Sequence, residues 1–260
     1  MEPGYLINRL GRLVARISFR KAKTIYEVPV ADEPAVFVSN HSGVRGPVMT
    51  TLYFPRKRMT WTVSFALDKE KVANYAYHDI LFGAARRFKG FWRFLSKVLG
   101  AMLPSLLRYE GVIPVYHDNN IVKTFKQSVH ALSEGNDLVI FAESPERYTP
   151  YINKLQPGFV DLARLYYRRT GKLLRFYPVY LEKKNAVISV GKPIVYDPEI
   201  PMEQQREQVI SYLADQIDHL ARELPPHKPR PFMPQIWYDA YGERFEFDTI
   251  GYWRMIDENR

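Results

Sequence analysis

The chain has no cysteine, which excludes disulfides, thiolate metal sites and cysteine nucleophiles and fits a reducing compartment. It also lacks long apolar runs. Nowhere are there the roughly 18 uninterrupted apolar residues that a spanning helix needs. The opening Met1-Glu-Pro-Gly-Tyr-Leu-Ile-Asn-Arg-Leu10 holds no apolar core of signal-peptide length. These absences predict a protein of the cytoplasm or of a membrane surface. Acidic charge is in short supply, with 28 Asp+Glu against 37 Lys+Arg and a net charge of +9. Such a balance predicts a partner of negative charge, whether nucleic acid, anionic lipid or a phosphorylated ligand. No zinc pattern, helix-turn-helix signal or RNP-like aromatic strand is present, which argues against nucleic acid. There is no internal repeat and no low-complexity tract.

What is there suffices for one substantial core: 260 residues, 46% of them hydrophobic. Residues 5–20 place Leu6, Leu10, Leu13, Val14 and Ile17 at helical spacing, with Arg9, Arg12, Arg16 and Arg20 between them. They read as a basic amphipathic helix within an N-terminal unit, 1–24. Residues 25–224 alternate strand and helix. Strands are expected at 28–30, 35–39, 61–67, 112–116, 137–141, 174–181 and 186–190, and helices at 47–53, 121–133, 158–167 and 202–223. This alternation predicts an α/β fold, a largely parallel sheet flanked by helices. A Pro-rich connector and an aromatic tail follow over 225–260.

Residues 80–107 have an unusual composition. Phe88, Phe91, Trp92, Phe94 and Leu95 interleave with Lys89, Arg93 and Lys97. A helical wheel gathers the aromatics on one side and the cations at its margins, which predicts contact with an anionic membrane surface.

Chemistry is concentrated at Val36-Phe-Val-Ser-Asn-His41-Ser-Gly-Val-Arg-Gly46-Pro47. A buried strand would deliver His41 at its carboxyl end, where open α/β sheets place their ligand crevices, making it a candidate general base. Further along come Glu110-Gly111-Val-Ile-Pro-Val-Tyr-His117, the strand ending at Glu143-Ser144, the Gln156-Pro-Gly158 step into a helix, and Tyr177-Pro-Val179. In order and spacing these blocks resemble the four motifs of the glycerolipid acyltransferase superfamily, the PlsC-like proteins typified by lysophosphatidate acyltransferases, over roughly residues 25–220.

The resemblance implies transfer of an acyl group from acyl-CoA or acyl carrier protein to a lipid hydroxyl at the cytoplasmic membrane surface, with no metal or other cofactor. His41 would deprotonate the acceptor and backbone N–H groups would stabilise the oxyanion. Asn40, Arg45, Gly111, His117, Ser144, Arg147, Lys154 and Gly158 would line the substrate site.

Three departures from the motifs bear on mechanism. The family's first-motif Asp, which holds the histidine tautomer, is here Gly46. Its second-motif Arg position is His117, and its third-motif Arg position is Glu146, with Arg147 one place later. Glu143 is the expected substitute for the missing Asp, ahead of Glu146, Asp79 and Asp118. The lost arginines point to an acceptor other than plain lysophosphatidate. A non-catalytic lipid-binding relative and a thioesterase-like hydrolase are the rival readings. If the site retains room for the family's dyad, Gly46→Asp should raise turnover.

Overall fold

The computed structural model describes residues 12–13, 16–17, 20–43, 45–77, 88–116, 118–144 and 151–229. Most of the expected N-terminal helix and the tail from 230 onward lie outside these residues; 12–13 and 16–17 are helical.

The elements in chain order are β1 (Lys23–Tyr26), β2 (Val36–Ser39), α1 (Arg45–Tyr53), β3 (Arg58–Val63), α2 (Lys69–Tyr75), α3 (Lys89–Tyr109) and β4 (Val112–Val115). There follow α4 (Ile121–Ser133), β5 (Asp137–Ile140), α5 (Asp161–Thr170), β6 (Arg175–Glu182), β7 (Val187–Val190), β8 (Ile194–Val195) and α6 (Met202–Arg222). All eight strands form one sheet, in the order β1-β7-β6-β2-β5-β3-β4, with β8 paired to β6. Strands β6, β2, β5, β3 and β4 run parallel, while β7 and β8 run against β6 and carry β1 with them. The chain therefore has the expected α/β class with a largely parallel sheet.

Sequence periodicity explains the layers. Along β2, Val36 and Val38 face a core filled from α4, α5 and α6 by Leu132, Leu162, Val209, Leu213 and Ile217. Phe37 points the other way, stacked on Tyr177 at 5.0 Å and meeting the edge of Phe54 at 4.9 Å. Both faces of the central strands are thus covered, as their continuous apolar runs require. Gly135, with φ +80°, supplies the left-handed turn after α4.

Some expected elements are displaced. The strand expected at 28–30 is instead β1 at Lys23–Tyr26. Its ladder ends with β7 at Val190, and Pro29 has no N–H with which to extend it. The strand expected over 61–67 starts earlier, at Arg58, and stops at Val63, where Ser64–Leu67 coils into a 3₁₀ turn. The helix expected from 158 is a 3₁₀ turn, Pro157–Val160, leading into α5.

Helix α3 buries its small residues rather than its large ones. Ser96, Gly100 and Pro104 face inward, and a Cβ on Gly100 would lie 2.8 Å from Ala73 Cβ on α2. Phe91 and Phe94 stay exposed on the same helix.

Candidate active site

Strand β2 is clamped at both ends. Where it begins, Asp137 Oδ1 accepts from Ala35 N at 3.0 Å. Where it ends, Asn40 acts as an extra ladder rung against β6: its Oδ1 accepts from Leu181 N at 2.7 Å and its Nδ2 donates to Leu181 O at 3.3 Å. Asn40 was expected to line the substrate site, but its amide is committed to the backbone. It is a positioning group for the next residue, His41.

After Asn40 the chain reverses. Ser42 and Gly43 both have left-handed backbone angles, φ 47° and 62°, a conformation that glycine adopts without penalty. The reversal returns the Gly43 carbonyl to within 2.9 Å of His41 Nδ1. A carbonyl oxygen only accepts, so Nδ1 carries the proton and Nε2 carries the lone pair of the neutral ring. The ring packs against Phe141, with centroids 5.3 Å apart. Burial holds its pKa down to about 4, against the opposing hydrogen bond to Gly43. His41 is therefore a neutral imidazole with a fixed tautomer across the physiological pH range.

Glu143, expected to meet the ring, grips the main chain of this turn. Its Oε2 accepts from the main-chain N of His41 at 2.8 Å, and its Oε1 accepts from Asn153 N at 2.9 Å. The buried carboxylate thus fastens the His41 turn to the segment that folds back after β5, where Glu143 bridges Leu155. Ser144 N donates to Lys154 O at 2.8 Å in the same connection. The Lys154 side chain is exposed.

Gly46 explains why the ring is oriented by a carbonyl. A Cβ at this position would stand 2.1 Å from His41 O and 3.1 Å from Leu181 Cδ1. No side chain fits there unless the His41 peptide moves, so the expectation that Gly46→Asp restores an ordinary dyad is corrected. The first turn of α1 approaches His41 closely because position 46 has no side chain.

Other expected residues fall elsewhere. Gly111 follows α3 with φ 72°, and its carbonyl accepts from Thr60 N at 3.1 Å. By register it lies level with Val36, roughly 16 Å of strand from His41 at about 3.3 Å per residue. Gly111 precedes its strand whereas His41 follows one, so in a parallel sheet the two lie at opposite ends. Gly158 stands exposed on its 3₁₀ turn, with open space where a Cβ would go. Asp118 follows the edge strand β4 and bonds to Asn120. His117, Glu146, Arg147, Asp79 and the side chain of Arg45 lie outside the described residues.

The sequence reading did not identify Asn153, which holds Glu143, or the Gly43 carbonyl. Main-chain partners leave no residue-type signature; the Ser-Gly step directly after His41 was the available signal. Among the described residues no cluster of histidine and carboxylate groups is arranged to hold a metal ion, and no helix is long and apolar enough to cross a membrane.

No family model matches this chain, and no curated protein does. Among solved structures, it is similar to that of the 1-acyl-sn-glycerophosphate (LPA) acyltransferase PlsC from Thermotoga maritima. The match covers 86% of this chain and 81% of that one, with 13% sequence identity and a TM-score of 0.44.

Proposed function

We propose that this protein is an acyltransferase that carries an acyl group from acyl-CoA or acyl carrier protein to a hydroxyl of a glycerolipid or related amphipathic acceptor. The observation that carries this reading is the His41 imidazole, placed at the carboxyl end of a buried strand with Nδ1–H held by the Gly43 carbonyl. The order of the sequence motifs supplies the substrate class.

In the proposed reaction, Nε2 takes the proton of the acceptor hydroxyl as its oxygen attacks the thioester carbonyl carbon. The resulting oxyanion collapses, the C–S bond breaks, and the thiolate takes the proton back from the imidazolium. Gly43 O does half of what a carboxylate would. It enforces the tautomer, whose loss in a Ser-His-Asp triad costs about 10⁴ in turnover. As a neutral acceptor it stabilises the imidazolium less than a carboxylate does. A slower enzyme with correct ring geometry is the consequence.

The outward face of α3 supports work at a membrane surface. Phe88, Phe91 and Phe94 are 81%, 60% and 66% exposed, with exposed Lys89, Arg93 and Lys97 beside them. Trp92 packs edge-on against Phe91 at 5.2 Å, and Leu95 is half-buried. Aromatic groups flanked by cations suit the headgroup region of an anionic leaflet. The cytoplasmic face is the side proposed.

The test is mass-spectrometric detection of acylated lipid and free thiol from purified protein, an acyl thioester and a lipid extract, with His41→Ala beside wild type. The expected result is an acylated lipid whose formation falls at least about a hundredfold in His41→Ala. Vesicle binding without turnover would favour the lipid-binding relative, and thioester loss without an acceptor would favour the hydrolase.

A further inference from the structure

Beside the His41 turn lies a cavity of about 650 Å³ lined in part by Ser42, Tyr180, Lys183, Lys184, His227 and Lys228. Its volume is that of an ordinary small-molecule site. Both of its walls are fixed. On one side, Glu182 accepts from the main-chain N–H groups of Lys184 and Asn185, each at 2.6 Å, and sets the loop between β6 and β7 that carries Lys183 and Lys184. That loop directly follows Leu181, which Asn40 ties to the His41 turn.

On the other side, the Tyr180 hydroxyl and His227 Nε2 lie 2.8 Å apart, and His227 Nδ1 lies 2.9 Å from Pro225 O. The carbonyl accepts from Nδ1–H, so Nε2 accepts from the tyrosine. This chain of bonds anchors the segment after α6 that carries Lys228. Burial pushes the Tyr180 hydroxyl well up, keeping it a donor.

Among the residues that line the cavity lysines outnumber carboxylates, while Glu143 and Asp218 lie near enough to act on the Tyr180 hydroxyl. Three lysines line it, and the lining carboxylate, Glu182, is directed to the main chain of its own loop. Ammonium groups on flexible stems gather around a compact polyanion without needing a planar partner. The cavity also reaches the turn that carries the proposed base, at Ser42, while the arginine positions of the second and third motifs hold His117 and Glu146.

We infer that this cavity binds a phosphate group of the substrate, with Lys183, Lys184 and Lys228 as its cationic contacts. Its role in catalysis rests on the acyltransferase reading; the binding itself does not. The phosphate could belong to the thioester donor or to the lipid headgroup, so the test uses separate probes.

Full-length protein is titrated calorimetrically with CoA, glycerol 3-phosphate and inorganic phosphate. The same is done for the triple variant Lys183→Ala, Lys184→Ala, Lys228→Ala and for a control, Lys126→Ala, Lys172→Ala, whose lysines are exposed elsewhere. The triple variant is expected to bind its preferred probe at least about tenfold more weakly, with a shallower salt dependence and an unchanged melting temperature. The control is expected to match wild type. Tightest binding of CoA assigns the donor, and tightest binding of glycerol 3-phosphate assigns the headgroup. Equal affinity of the triple variant and wild type for every probe, or no binding of any probe to wild type at millimolar concentration, overturns the inference. His41→Ala, run in parallel, is expected to bind as wild type does. Acyl transfer undiminished in His41→Ala would remove His41 as the base, and absence of acyl transfer by wild type would remove the acyltransferase reading; either leaves the cavity to be judged on binding alone.

Discussion

Strand β5 carries a buried carboxylate at its start and another just past its end, and both grip β2. Asp137 accepts from Ala35 N, immediately before β2, and Glu143 accepts from His41 N, shortly after it. They differ in their remaining partners. Asp137 also takes a two-pronged bond from Arg56, Nε at 2.5 Å and Nη2 at 3.2 Å. Burial pushes its carboxyl up, and the Arg56 bonds oppose that shift. Glu143 also accepts from a second main-chain N–H, that of Asn153. The amino end of the sheet is closed by an ion pair, whereas the carboxyl end holds a loop in place around an imidazole. The same hydrogen-bonding device therefore serves stability at one end and ring position at the other.

The largest effect expected from breaking this comparison is at the closed end. Asp137→Ala leaves the Arg56 guanidinium and Ala35 N–H without their acceptor. It should cost about 3 kcal/mol of unfolding free energy, at the low end for a broken buried pair because Arg56 keeps some exposure. Urea denaturation measures this. Thioester turnover per folded molecule should remain near wild type. A large fall in turnover without a fall in stability would erase the distinction between the two ends.

At the open end the next effect is one of pH. Between about pH 4 and the ordinary histidine value of 6.5, the unfolded chain binds a proton at position 41 that the native ring does not. Stability therefore falls as pH drops through this window, by at most about 3 kcal/mol. Replacing His41 with Ala removes that dependence. The stability difference between wild type and His41→Ala should thus shift by about this amount from neutrality to pH 4, in favour of the variant. A flat difference would mean that the ring titrates as an exposed histidine does.

Much of the fold was legible because its signals are local. The both-faces-buried runs of β2, β5 and β6 and the apolar stripes of α4 and α6 are written in consecutive residues. Strand β1 was misplaced because Lys23 and Thr24 look polar, and what makes them strand is a parallel partner, β7, far along the chain. Helix α2 is short and polar and gave no periodic signal. At the site, the strand and turn disclosed His41, but Gly46 read as a missing aspartate. That a side chain there would collide with His41 O is a fact of the folded backbone. Glu143 was singled out as a partner of the ring, and its bond to the His41 main-chain N–H went unforeseen, since a main-chain N–H has no letter in the sequence.

Gly46→Ala sharpens the point with a single methyl group. Its Cβ cannot sit 2.1 Å from His41 O, so the turn must shift. A displacement of about 1 Å at a reacting group is enough to cost about a hundredfold in turnover. The decisive readout is nitrogen-15 NMR of the imidazole. Wild type should show the Nδ1–H tautomer, and the variant should show averaging of the two forms. Full retention of the wild-type tautomer in a folded Gly46→Ala protein would show that Gly43 holds the ring independently of the close approach of α1.

The smallest expected effect falls on Glu143, and it tests which atom its carboxylate serves. Glutamine keeps one acceptor oxygen, so in Glu143→Gln one of the two N–H groups, of His41 or of Asn153, faces an amide donor. A lost buried bond of this kind costs about 1–3 kcal/mol, and the two-point attachment of the loop suggests the lower part of that range. Turnover should fall about tenfold as the turn loosens, while the Nδ1–H tautomer and the low His41 pKa persist, because Gly43 and burial set them. If Glu143 instead oriented the ring, the tautomer would be lost together with turnover. The NMR spectrum of this one variant therefore separates a carboxylate that positions the backbone from one that belongs to a catalytic dyad.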